Sequence, residues 1–221
     1  MTLKEAMNAR HSVRSYENRQ IPAEIISALQ EKIDACNKEA DMHIQLVTNE
    51  PKAFDGRMAH YGKFSGVGNY IAMIGKKGPD LEEKCGYYGE QIVLLAQQLG
   101  LNTCWVAMTF SKIKSAYTVK SGEKFCLVIS LGYGLTQGVA HKSKSMEELC
   151  KVSGEAPEWF KSGMKAALLA PTAMNQQKFV LTLNDKEVSA KAGMAFYSKM
   201  DLGIVKYHFE LGAGKENFKW A

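Results

Sequence analysis

The chain has 221 residues, of which 46% are apolar and 23% charged, and its formal net charge is +5 at pH 7. These proportions are typical of a folded globular protein and exclude disordered, collagen-like and coiled-coil chains. The length allows one domain or two small ones. The five cysteines form no CxxC pair, which disfavours a disulfide framework and indicates a reducing, cytoplasmic location.

The N-terminal part is predicted to contain two helices and a strand. Thr2 and Glu5 have the spacing of a capping box, which predicts a short helix and no signal peptide. Apolar residues recur at helical spacing over 22–39, which predicts an amphipathic helix that begins at Pro22. The alternation over 43–48 predicts a strand.

The central part is predicted to contain one long helix and three strands. The expected elements are a strand at 69–74, a helix at 81–99 that ends at Gly100, strands at 103–108 and 125–131, and a turn at 132–134. No apolar run approaches the ~20 residues that a membrane span requires. Basic residues are scattered without interleaved aromatic residues, so neither nucleic acid nor membrane is an expected partner.

The C-terminal part repeats features of the first. Aligning Pro157 with Pro22 matches a helix, a loop and a strand without a gap, and 204–212 matches 92–100 as part of a second helix. Chance similarity of such units is one explanation, and degenerate duplication is the other. Duplication predicts a first repeat at 1–145 and a shorter second repeat at 146–221, packed as one body.

Two cationic stretches are candidates for binding an anion. If the chain is extended after the first helix, Arg10, Ser12 and Arg14 share one face, and two guanidinium groups with a hydroxyl suit a phosphate. Lys142 and Lys144 form a second alternating stretch. Solvated surface loops are the alternative interpretation of both stretches.

A segment between a predicted helix and strand, Ala170 to Gln177, could approach a planar ligand. Its proline and small residues allow close backbone contact, and Asn175 and Gln177 supply amide donors and acceptors. A simple helix-terminal loop is the alternative. No histidine cluster indicates a metal site, and the fingerprints of dinucleotide-binding and P-loop folds are absent.

Taken together, these motifs resemble the nitroreductase family of FMN-dependent oxidoreductases. The resemblance rests on Arg-x-Ser-x-Arg from Arg10, Ala-Pro-Thr-Ala-x-Asn-x-Gln from Ala170, and the segments 99–106 and 131–134. It implies an α+β fold with a central, mostly antiparallel sheet wrapped by helices, and FMN held at an interface. Family members are usually homodimers that combine elements of two subunits at each flavin.

In this chain the segment from Ala170 to Gln177, which we call the proline segment, lies far downstream, in the second repeat. If the duplication fused two halves of such a dimer, one chain completes one flavin site, because the second repeat has no Arg-x-Ser-x-Arg counterpart. The chain is then a monomeric pseudo-dimer or a homodimer that binds one FMN per chain.

The resemblance also implies a set of cofactor-binding residues. The residues implied for the phosphate and ribityl chain are Arg10, His11, Ser12 and Arg14, with Lys142 or Lys144. Those implied for the isoalloxazine ring are Pro171, Thr172, Ala173, Asn175 and Gln177. Trp105, Val106 and Ala107 would offer a backbone N–H to the ring, and Lys63 would lie at its pyrimidine edge. No catalytic side chain and no metal is expected, since the flavin carries the chemistry.

The function implied is electron transfer from NAD(P)H through FMN to a nitroaromatic, a quinone or a similar acceptor. Two alternatives use the same residues: a non-catalytic FMN-binding protein, and unusual flavin chemistry such as reductive dehalogenation.

Overall fold

The computed structural model describes all 221 residues. The α-helices are Leu3–Ala9 (α1), Ala23–Ala40 (α2), Arg57–Tyr61 (α3), Leu81–Gln98 (α4), Met146–Leu149 (α5), Glu158–Ala167 (α6) and Ser198–Ala213 (α7). The β-strands are Gln45–Val47 (β1), Asn69–Lys76 (β2), Asn102–Val106 (β3), Glu123–Gly132 (β4), Cys150–Val152 (β5), Phe179–Asn184 (β6), Glu187–Ala192 (β7) and Lys219–Trp220 (β8).

The chain forms two compact units, each assembled from segments that are distant in sequence. The N-terminal unit consists of 9–81 and 92–140. The C-terminal unit consists of 1–8, 82–91 and 141–221. Helix α4 therefore contributes to both units. The duplication, with its boundary between residues 145 and 146, stays a prediction.

An antiparallel sheet with the strand order β1-β2-β4-β3 forms the centre of the N-terminal unit. Its two middle strands pair over eight positions of β2, with Ile71 opposite Ile129. Six consecutive residues of β2 are buried, so both faces of the sheet are covered. Against this sheet Phe54 packs on the rings of Phe64 and Tyr70, with centroids 5.1 and 6.1 Å away.

The C-terminal unit contains a second sheet, with the order β5-β6-β7-β8. Strands β6 and β7 form an antiparallel hairpin, and β5 and β8 add at its two edges in parallel. Helices α6 and α7 cross closely where Gly163 and Gly212 meet, because Cβ atoms there would lie 2.6 Å from Phe209 and 2.5 Å from Ala166.

The predicted fold class, α+β with an antiparallel sheet and packed helices, is confirmed. The capping box is present, since Thr2 N–H donates to the Glu5 carboxylate and Glu5 N–H to the Thr2 hydroxyl. Helix α2 begins after Pro22, and α4 ends just before Gly100, whose φ is +81°.

Several predicted strand limits were wrong. The strand predicted at 43–48 is only three residues long, and the one predicted at 103–108 ends at Val106, where pairing with β4 stops and the chain bends. The structure also has two sheets where the sequence analysis described a single central one. All five cysteines are free thiols. None of the helices combines the length and apolar character needed to cross a bilayer.

Candidate functional site

The segment that follows α1 pairs with its neighbours as an extended chain, which is the condition under which Arg10, Ser12 and Arg14 share one face. Ser12 bridges Thr103 of β3 in parallel fashion, and Val13 N–H donates to the Thr103 carbonyl at 3.0 Å. At its end, Tyr16 bridges Gly134, and its buried hydroxyl donates to the Val13 carbonyl at 2.7 Å and lies 2.8 Å from Ser130 Oγ. These contacts fix the direction in which the side chains of 10–14 point.

Arg10, Ser12 and Arg14 lie on one face of this segment and act on a common neighbour, Cys104. Burial raises the pKa of the Cys104 thiol. The positive charges of Arg14 and Arg10 and a hydrogen bond from Ser12 oppose that rise. All three side chains thus influence the pKa of one thiol, as expected if they share a face of an extended segment.

The two arginines of this face differ in exposure. Arg10 is buried, at 4% exposed, whereas Arg14 is exposed and makes no ion pair; its guanidinium lies 5.9 Å from the ring centre of Phe64. Close to them, a Cβ on Gly138 would lie 2.7 Å from His11 and 3.0 Å from the Ser12 carbonyl. The chain at Gly138 therefore lies directly against residues 10–14, which we call the cationic segment.

The segment that contains Lys63 lies beside residues 14–16. Ser65 N–H donates to the Arg14 carbonyl at 3.0 Å, and Tyr16 N–H donates to the Ser65 carbonyl at 3.0 Å. Lys63 itself is exposed and has a left-handed φ of +60°. Lys63 thus lies two residues before the residue that bonds to the Arg14 backbone, within the N-terminal unit.

The end of β3 supplies the other candidates of this unit. Trp105 and Val106 pair with β4, and Ala107 follows in the bend beyond the last pair. Val106 is buried, whereas Trp105 and Ala107 are partly exposed. Because Ser12 pairs with Thr103, the cationic segment and this strand are neighbours in the sheet.

A separate concavity of about 460 Å³ lies elsewhere in the N-terminal unit. It is lined by Asn18, Asn49, Pro51, Phe54, Asp55, Gly66, Val67 and Gly68. No residue of the predicted cofactor-binding set lies among them.

The C-terminal unit carries the proline segment, which has an unusual backbone. Met174, Asn175 and Gln177 have φ values of +52°, +52° and +46°, in the left-handed region that non-glycine residues seldom adopt. Asn175 N–H donates to the Thr172 carbonyl at 2.9 Å, and Gln177 N–H to the Thr172 hydroxyl at 3.1 Å. The segment is thus a tight, hydrogen-bonded turn.

The second cationic stretch lies against this segment. Asn175 Nδ2 and Gln177 Nε2 both donate to the Lys142 carbonyl at 2.9 Å, and Lys144 N–H donates to Gln177 Oε1 at 2.8 Å. From the sequence, Lys142 or Lys144 was expected to bind the phosphate together with the arginines. In the structure, the backbone of both lysines holds the proline segment. Gln177 is 4% exposed and its amide is used within the protein, so its side chain supports the turn.

Asp201, in the first turn of α7, was not among the residues predicted from the sequence. One carboxylate oxygen accepts from Ala173 N–H at 2.9 Å and the other from Gln176 Nε2 at 2.8 Å. Burial raises the pKa of Asp201 to about 6, and these two hydrogen bonds oppose the rise. No spacing rule connects Asp201 with a loop 28 residues upstream; its only sequence signal is an acid in the first turn of a helix.

Comparison with known proteins gives a consistent result. A family model described as "Putative TM nitroreductase" matches residues 2–213. No curated protein matches the sequence. A solved structure from Thermotoga maritima, described as a "putative nitroreductase", has a TM-score of 0.67 at 24% identity and covers 96% of this chain and 83% of that one.

Two further solved structures match a smaller share of this chain. A "nitroreductase-like protein" from Streptococcus mutans has a TM-score of 0.55 at 14% identity, over 66% of this chain and 94% of that chain. A "Putative NADH dehydrogenase/NAD(P)H nitroreductase" from Parabacteroides distasonis has a TM-score of 0.53 at 20% identity, over 66% of this chain and 95% of that chain. These structures share the fold of this chain.

Proposed function

This chain belongs to the TM nitroreductase family, and from that membership we propose that it is an FMN-dependent oxidoreductase. Its donor is NADH or NADPH, and its acceptor is a small molecule of the nitroaromatic or quinone type. The family match supports an oxidoreductase, and the donor set on the cationic segment supports FMN as the cofactor.

The cationic segment fits the phosphate end of FMN. Two guanidinium groups and a hydroxyl on one face supply several charge-assisted hydrogen bonds to phosphate oxygens. Arg14 is exposed and makes no ion pair, so its guanidinium is available to a ligand. His11 lies within the same segment, against Gly138.

Each unit carries residues that we assign to the ring of FMN: the proline segment in the C-terminal unit, and the end of β3 in the N-terminal unit. In the first, the residues assigned to the ring are Pro171, Thr172, Ala173 and Asn175. The amides of Asn175 and Gln177 also bond to the backbone of Lys142 and Lys144, which keeps the turn in shape. In the second, Trp105, Val106 and Ala107 offer a backbone N–H. Lys63 contributes a positive charge at the pyrimidine edge.

A bound flavin supplies the hydride and electron transfer between donor and acceptor. The residues of this chain bind and orient that group. The buried Cys104 is a poor nucleophile because burial raises the pKa of its thiol. No side chain of the set is required to form a covalent bond with a substrate.

The grouping of Arg10, Ser12 and Arg14 on one face carries the cofactor assignment, and an absorbance experiment tests the function. We expect the purified protein to be yellow, or to become yellow when loaded with FMN. Its visible flavin absorbance should bleach when NADH or NADPH is added without oxygen, and should return when a quinone is added.

The same experiment separates the alternative functions. A yellow protein that neither nicotinamide bleaches would contradict the reductase and favour a flavin-binding protein or another electron donor. A protein that takes up no FMN at all contradicts the cofactor assignment.

A further inference from the structure

The carboxylate of Asp201 joins helix α7 to the proline segment. It accepts one hydrogen bond from the backbone at Ala173 and one from the side chain of Gln176, at 2.9 and 2.8 Å. The residue is 5% exposed. A buried carboxylate that receives a hydrogen bond on each oxygen holds its two donors at a fixed separation.

Gln176 extends this connection to another segment. Its Nε2 also donates to the Phe196 carbonyl at 2.8 Å, just before α7 begins. Asp201 and Gln176 therefore join three pieces of chain: the proline segment, the approach to α7, and α7 itself. All three lie within the C-terminal unit.

The conformation that these bonds hold is unfavourable by itself. Met174 and Asn175 lie between the two donors of Asp201, and both have a left-handed backbone. Such conformations persist only where the surroundings over-determine them. Asp201 binds the chain immediately before and immediately after this pair, so it is placed to impose the conformation.

Two apolar side chains at the segments joined by these hydrogen bonds are exposed to solvent. Met174 is 97% exposed and Phe196 is 86% exposed, although their backbones are held by this hydrogen-bond network. Met174 gains nothing from burial in the protein, so packing of its side chain cannot offset the strain of its backbone. Hydrogen bonds must offset it instead. Those of Asp201 and Gln176 tie the turn to α7, and those that Asn175 and Gln177 make to Thr172 and Lys142 act within the turn and its neighbour.

We propose that Asp201, acting through Ala173 N–H and Gln176, is the positioning residue that keeps the proline segment in the shape that receives the flavin ring. This role rests on the proposed function. Asp201 does not touch the flavin; it sets the conformation of residues 172–176, which do.

The test compares the affinities of FMN and riboflavin, measured by quenching of flavin fluorescence. These ligands share the ring and differ in the phosphate. Asp201→Ala removes both acceptors, so we expect dissociation constants for FMN and riboflavin to rise by the same factor, about 10-fold. Asp201→Asn keeps an oxygen that can accept from Ala173 N–H, and should restore part of the affinity.

Glu210→Gln is the matched control. Glu210 lies on the same helix, is 7% exposed, and accepts hydrogen bonds from Tyr87 at 2.6 Å and Trp220 at 2.7 Å, none of which belongs to the proline segment. We expect this variant to lower the melting temperature and leave both flavin affinities unchanged. Equal weakening by Glu210→Gln and Asp201→Ala would overturn the positioning role, because loss of stability would then explain both.

If Asp201→Ala does not fold, Gln176→Leu removes the second half of the same connection from a partly exposed position. It should weaken both flavins in proportion. Loss of FMN affinity with riboflavin affinity retained, or no effect on either flavin, overturns the positioning role and leaves the proposed function intact. A wild-type protein that binds neither flavin overturns the proposed function itself.

Discussion

Arg10 and Arg14 share a face but differ in what their removal would reveal. Arg10 is 4% exposed and belongs to the interior, so its loss would disturb the fold as well as any ligand site. Arg14 is exposed and makes no ion pair, so its loss should affect a bound anion and little else. The structure therefore identifies Arg14 as the better probe of the phosphate assignment.

Arg14→Ala should raise the dissociation constant for FMN by about 10-fold or more, because a hydrogen bond to a charged group contributes about 1.5–3 kcal/mol. Riboflavin, which has no phosphate, should bind as before. Fluorescence titration with both ligands measures the difference. Arg57→Ala is the control, since Arg57 is an exposed arginine of α3 outside the predicted set. Equal losses of FMN and riboflavin affinity would refute the phosphate role of Arg14.

Asp201 gives a stability prediction with a definite sign. Its pKa is about 6 in the folded protein, against an ordinary value of 3.8, because burial disfavours the ionised form. Between pH 4 and pH 6 the folded state holds a proton that the unfolded state has released, so stability falls as pH rises through this window. The difference between these two pKa values corresponds to roughly 3 kcal/mol.

Asp201→Asn removes this titration. The difference in unfolding free energy, wild type minus variant, should therefore fall by up to about 3 kcal/mol between pH 4 and pH 7. Urea unfolding of both proteins at several pH values measures it. A difference that stays constant over this range would show that the carboxyl titrates normally.

Helices α4 and α7 approach each other closely in the C-terminal unit. A Cβ on Gly203 would lie 2.0 Å from the Glu83 carbonyl oxygen, and one on Gly86 would lie 1.9 Å from the Met200 carbonyl oxygen. Further along the same pair, His208 Nε2 lies 2.9 Å from a carboxylate oxygen of Glu90, both fully buried. Two glycines thus allow backbone contact, and a buried polar pair fixes the register.

Gly203→Ala should destabilise the protein, although alanine is the better helix former by about 1 kcal/mol. The new methyl group would meet backbone atoms, which cannot move aside as a flexible side chain can. We expect the free energy of unfolding to fall by about 2 kcal/mol and the melting temperature to fall by at least ~4 °C. Thermal unfolding monitored by circular dichroism measures the change. Lys199→Ala, at an exposed position of the same helix, is the control. An unchanged melting temperature would show that the two backbones are further apart.

Elements with a local signal could be predicted from the sequence, and those made by long-range pairing could not. Pro22 and Gly100 gave the start of α2 and the end of α4, because proline and glycine act through their own backbone. Strand β5 has three residues and β8 has two, and each exists only because it pairs with the hairpin of β6 and β7. Such short strands have no periodicity to detect.

The candidate site divides in the same way. The alternation of Arg10, Ser12 and Arg14 follows from the geometry of an extended chain, and this part could be predicted. The support of the proline segment by Lys142, Lys144 and Asp201 depends on contacts between residues 25 to 35 positions apart, for which one sequence carries no signal. The interior use of the Gln177 amide was missed for the same reason.

Across the whole chain, each component of the proposed cofactor set occurs once. The Arg-x-Ser-x-Arg segment lies in the N-terminal unit, and the proline segment lies in the C-terminal unit. The segment that aligns with the proline segment in the predicted duplication, 35–42, lies partly within α2 and lacks both the proline and the glutamine. The two units therefore differ in the flavin-binding residues that they carry: the arginines lie in one and the proline segment in the other.

This inequality predicts a stoichiometry of one FMN per chain. A second phosphate would need a second cluster of guanidinium groups, and the chain has no other Arg-x-Ser-x-Arg segment. We expect flavin released by denaturation and quantified by absorbance, divided by the protein concentration from amino-acid analysis, to approach one. Arg14→Ala should lower this ratio after gel filtration, and Arg57→Ala should leave it unchanged. A ratio near two in the wild-type protein would mean that both units bind flavin, and that the duplication preserved a second site without the arginines.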